Sequence, residues 1–100
     1  MNKVILKGRL TADPEIREGE TTIARFTLAV DRRRGEEADF IRCVAFGKIA
    51  DSVGNNWTKG KEMLLEGRIQ TGSYKNKDDQ TVYTTDVILT EFPEFCGKKE

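Results

Sequence analysis

The sequence predicts an all-β fold interrupted by one short helix. Apolar residues alternate with polar ones along separate short stretches, and a β-branched run, TVYTTDVILT, closes the pattern. The spacing turns helical only once, between Gly47 and Trp57. One hundred residues, 37% hydrophobic and 34% charged, suit one soluble domain with a compact core and a heavily charged surface.

From Lys3 to Leu10, the side chains of Val4, Leu6 and Leu10 fall on one face and those of Lys3, Lys7 and Arg9 on the other, as in a half-buried strand. Asp13-Pro14 breaks this stretch, because proline restricts its predecessor and donates nothing to a ladder. In Ile23 to Val30, Ala24, Phe26, Leu28 and Val30 share a face, and the polar DRRRGEEAD around Gly35 connects that strand to an antiparallel partner. Phe40 to Phe46 is the third strand. Ile49, Ala50, Val53 and Trp57 then follow at helical offsets, and Asn55, Asn56 and Gly60 keep the helix short. Alternation resumes from Glu62 to Gln70, with Met63, Leu65 and Ile69 together, and Thr81 to Thr90 is the last strand. Between them, TGSYKNKDDQ is a polar hairpin carrying Tyr74. Three strands, a short helix and two strands form the order of an OB-fold, the five-stranded Greek-key barrel that commonly binds oligonucleotides. Residues 1–100 are expected to form this one domain, since no repeat, linker or low-complexity segment interrupts them.

Composition narrows the chemistry. The 17 basic and 17 acidic residues cancel, so any electrostatic footprint must come from how charges are placed on individual strands. There is no histidine, which removes the usual general base, the commonest zinc ligand and the His-activated nucleophiles. Cys43 and Cys96 are far apart and form no CxxC pair, so no metal, redox motif or other cofactor is indicated, and free thiols are expected. Asp39, Glu66 and Asp86 are scattered over separate strands and make a poor acid pair, so no enzyme activity is expected. MNKVILKGRL is too short in apolar residues for a signal peptide, and no stretch is long enough to span a bilayer, so the default expectation is cytoplasmic with no membrane partner.

The third strand carries the functional signal. Parity puts Phe40, Arg42, Val44 and Phe46 on one face and leaves the small, apolar Ile41, Cys43 and Ala45 for the interior. The first set points outward, two rings flanking a guanidinium. Single-stranded nucleic acid offers base faces to such rings and phosphates to such an arginine. Packing against another subunit or protein explains the strand pattern equally well. Basic residues shift the balance: Lys3, Lys7 and Arg9 share a strand face, Arg32, Arg33 and Arg34 cluster in a loop, and Lys48 follows Phe46-Gly47. Taken singly, Lys7, Arg17 and Arg25 are better read as ordinary solvated charges. Trp57 suits stacking by type, but its register with Ile49 and Val53 makes it a core residue.

In NKVILKGRLTADPEIR, ARFTLAV, DFIRCVAFGKIAD, LLEGRIQTGSY and VYTTDVIL, the sequence resembles the bacterial and phage single-stranded DNA-binding proteins over nearly its whole length. The resemblance implies an OB-fold, usually homotetrameric, that binds single strands without sequence preference during replication, recombination and repair. It also implies that Phe40 and Tyr74 stand where stacking tryptophans do and Phe46 where a stacking phenylalanine does, with Arg42, Lys3 and Lys48 along the DNA path. Where members often carry a further aromatic after the second strand, this sequence has Arg32, Arg33 and Arg34, whose guanidinium planes also stack on bases. Gly72 and Ser73 replace the family's positive residues before the hairpin aromatic, which implies either weaker binding or a compensating contribution from the arginine loop. Members commonly continue into a linker and an acidic tip that recruits replication and repair enzymes. The sequence ends at FCGKKE, so such partners are expected only with a tail outside it.

Overall fold

In the computed structural model, which describes residues 1–95, these stretches form seven strands and one helix. In chain order they are β1 (Val4–Leu10), β2 (Glu15–Arg17), β3 (Ile23–Asp31), β4 (Ala38–Phe46), α1 (Gly47–Asn56), β5 (Glu62–Lys75), β6 (Thr81–Leu89) and β7 (Glu94–Phe95). Five of the strands close a ring: β1 pairs β3, β3 pairs β4, β4 pairs β6, β6 pairs β5, and β5 returns to β1. Every seam is antiparallel except the short parallel one between β4 and β6, where Cys43 faces Val87 and Val44 faces Ile88. This is the OB-fold topology that the element order predicts.

Alternation decides what the ring encloses. Leu10, Ala24, Phe26, Leu28, Cys43, Ala45, Met63, Leu65, Val87 and Leu89 are buried inside, with Val4, Leu6 and Ile41 packed against them. Fully burying each larger aliphatic contributes about 1.5–3 kcal/mol. Ala50 and Val53 of α1 cap one end of this core. Gly47 starts that helix at φ +63°, a left-handed turn that admits no side chain without strain, and its N–H donates to the Thr22 carbonyl (2.8 Å). Two further glycines are forced by proximity. A Cβ at Gly8 would collide with the Ala29 carbonyl oxygen, and one at Gly67 with that of Ile88.

Three features depart from the expected elements. β2 follows the Asp13-Pro14 break and pairs with Ile23 to Arg25 on the same edge of β3 that β1 occupies further along, so the break is a loop in a ladder that resumes. Asp13 Oδ1 accepts the Lys59 N–H (2.8 Å), fastening that loop to the chain beyond the helix. β5 continues to Lys75, so Tyr74 belongs to a strand, opposite Val82, and the hairpin tip begins at Asn76. The helix ends at Asn56. Trp57 is extended, 2% exposed, and lies flat on Phe95 of β7 at 4.3 Å between ring centroids, so it is a core residue as its register indicates. Cys96 lies outside the described residues.

Candidate nucleic-acid interface

β4 presents its two faces as parity requires. Cys43 and Ala45 are fully enclosed, while Phe40 is 69% and Phe46 44% exposed on the opposite side. Burial first, and the nearby Asp86 charge second, push the Cys43 thiol up to about 12, so it is no nucleophile. Along the outer side of β4 run Phe40, Arg42, Val44 and Phe46. At roughly 3.3 Å per residue, the two rings stand about 20 Å apart.

Neighbouring strands widen this strip. In the parallel seam the residue beside Arg42 is Asp86, and Arg42 Nε approaches Asp86 Oδ1 at 3.2 Å. Asp86 faces Gln70, and Tyr74 faces Val82, so alternation puts Tyr74 on the same side of the β5–β6 hairpin as Asp86. Tyr74 is 57% exposed. Phe40, Arg42, Phe46 and Tyr74 are thus brought to one continuous outer surface. A groove of ≈ 230 Å³ lies beside it, lined by Thr11, Ala12, Asp13 and Glu15 together with Arg25, Thr27, Arg42 and Asp86.

Apart from Lys3, the other expected cations lie around this strip. Lys48, exposed in the first turn of α1, stands just past Phe46, and the exposed Arg32, Arg33 and Arg34 stand past the Phe40 end in the β3–β4 loop. Arg32 is already committed, at 2.7 Å to Glu37 and 3.0 Å to Asp39. Lys3 sits elsewhere, just before β1, paired with Glu66 at 3.7 Å on the β1–β5 side of the ring. All three carboxylates considered as an acid pair are therefore engaged by cations: Asp39 by Arg32, Glu66 by Lys3 and Asp86 by Arg42.

Two groove residues escape a reading of the sequence. Arg25 looks like a solvated charge in isolation, yet it opposes Val44 across the β3–β4 ladder and lines the groove with Arg42. Its position between the inward-facing Ala24 and Phe26 was the available signal. Asp86 gives none, because its neighbour is set by a parallel seam between strands more than forty residues apart.

Comparison with known proteins agrees with this geometry. The single-strand binding protein family matches residues 1–94. A single-stranded DNA-binding protein of Clostridium perfringens is 50% identical over 96 residues, covering 92% of this chain and 64% of the relative. Single-stranded DNA-binding protein 3 of Clostridium acetobutylicum is 50% identical over 98 residues, 91% of this chain and 68% of its own length. One from Fusobacterium nucleatum is 41% identical over 108 aligned positions, 99% of this chain and 69% of its own. The chain thus spans about two thirds of the length of these relatives. With the ring topology, the exposed aromatic strip and a match over nearly every residue, the chain belongs to the single-strand binding protein family.

Proposed function

We propose that this chain binds single-stranded DNA without sequence preference, protects it during replication, recombination and repair, and catalyses no reaction. The observation that carries this reading is the exposed, ring-lined outer surface of β4 and the β5–β6 hairpin. Phe40, Phe46 and Tyr74 stack on bases, each stack being worth about 1–3 kcal/mol. Arg42, Lys48 and the Arg32, Arg33 and Arg34 cluster meet phosphates, with Arg25 joining them in the groove. Lys3 contributes as the strand passes round the ring toward β1. Stacking is indifferent to base identity because every base has a flat face, which is why this surface suits binding without sequence reading. Membership of a family of single-strand binding proteins supports the same ligand.

The working form is a homotetramer of one-domain OB-fold subunits in the cytoplasm. The outer side of β1 and β5 supports an assembly, since Ile5 and Phe92 are exposed there beside the half-buried Leu64, around a hollow of ≈ 430 Å³. Among the described residues, no helix is long and apolar enough to cross a membrane.

The test is fluorescence anisotropy of a labelled dT oligomer titrated with protein at several salt concentrations. A label on the DNA is needed because Trp57, the single tryptophan, is enclosed and stacks on Phe95. Affinity should fall as salt rises, through release of phosphate counterions. Unlabelled dT should compete where duplex DNA does not. Equal competition by duplex would defeat the stacking mechanism.

A further inference from the structure

We propose that Asp86 is a built-in competitor for the nucleic-acid backbone: its carboxylate holds Arg42 in the free protein, and a phosphate must take Arg42 from it. This rests on the nucleic-acid reading of the β4 surface. Asp86 occupies the middle of that surface, beside Arg42 across the β4–β6 seam and opposite Gln70 across the β5–β6 ladder.

The two partners are unequally free to move. Arg42 has a long side chain, 63% exposed, whereas the short Asp86 side chain is 21% exposed and fixed by its strand. The pair is close in distance, at 3.2 Å, but Asp86 Oδ1 receives no well-directed hydrogen bond. It is therefore a contact of charges that can be exchanged. When Arg42 turns to a phosphate, Asp86 stays behind. The groove it faces holds Arg25 as its other cation and Asp13 and Glu15 as further anions. With Arg42 turned away, Arg25 is one cation among three carboxylates there, so each bound phosphate at Arg42 meets a standing anion beside it. Its contribution is to weaken the complex and quicken release from a surface whose rings would otherwise hold DNA longer.

Asp86→Asn keeps the shape and removes the charge. It should bind the labelled dT oligomer about three- to tenfold more tightly. The salt dependence of its log affinity should be steeper by up to about 0.7, because no cation is taken up to neutralise the abandoned carboxylate. Asp86→Thr, a better strand former, should behave alike, and thermal melting of both variants confirms folding. In an Arg42→Ala background the gain from Asp86→Asn should shrink, since there is no arginine left to contest. If folded Asp86→Asn and Asp86→Thr bind no more tightly than wild type, or if the gain persists undiminished without Arg42, competition is refuted while the nucleic-acid reading stands. A wild-type protein that fails to bind dT at all refutes that reading, and this inference with it.

Discussion

Replacing Phe40 by alanine separates what the ring does for the fold from what it does for a ligand. Phe40 is 69% exposed at the outer side of β4, so its truncation leaves no cavity in the core. The change in folding stability should stay within about 1 kcal/mol, the span of intrinsic strand preference. Loss of a base stack is larger, about 1–3 kcal/mol, or roughly a 5- to 150-fold rise in Kd. Phe40→Leu sharpens the test, because leucine keeps an apolar side chain but offers no flat face. Stacking predicts that leucine recovers stability and little affinity. Anisotropy titrations with labelled dT, run beside thermal melts, read the two quantities independently. Undiminished affinity in the alanine variant, or full recovery by leucine, would refute the assignment of Phe40 to a base.

Gly67→Ala should destabilise the fold by about 1–3 kcal/mol, because the new methyl meets a backbone carbonyl at Ile88 held in the β5–β6 ladder. The same substitution at Gly19, which has open space around it, should stay within about 0.5 kcal/mol, and paired thermal melts compare them. Cys43 should resist alkylation in the native protein and react once denaturant opens the ring, as measured by thiol labelling in a Cys96→Ser background. Its thiol pKa rises on folding from about 9.0 to about 12. The folded state thus holds the proton more tightly, and the stability this contributes is complete below about pH 9 and lost as pH climbs toward 12. Melting temperature should therefore fall less steeply with alkali in Cys43→Ala than in wild type.

The legible parts of this molecule are those where burial imposes a period. β1, β3 and β4 each place enclosed residues at every second position, and α1 buries Ala50 and Val53 at helical spacing, so these elements stand out in the sequence. β2 is exposed along all three residues, and β7 is two residues long, so neither leaves a periodic trace. The inward pattern of β5 fades after Gly67, though its ladder to β6 continues to Lys75, and hydrogen bonding alone has no sequence signature. The same distinction divides the interface. Parity within β4 exposes Phe40, Arg42 and Phe46, whereas the neighbours of Arg42 depend on strand registers that no local pattern encodes.

The length of β5 has a mechanical consequence. Its pairing with β1 ends at Gly67, and the Asn2 side chain adds one last rung by exchanging hydrogen bonds with the Ile69 backbone (2.7 and 2.8 Å). Farther out, β5 and β6 pair with no other strand among the described residues, and a two-stranded ribbon flexes and twists more readily than a closed ring. Tyr74 rides near the end of that cantilever while Phe40 and Phe46 are bolted to the ring. On the proposed reading, two of the stacking rings are fixed to the closed ring and the third is carried on the less constrained ribbon, which would let the surface follow strands of differing curvature.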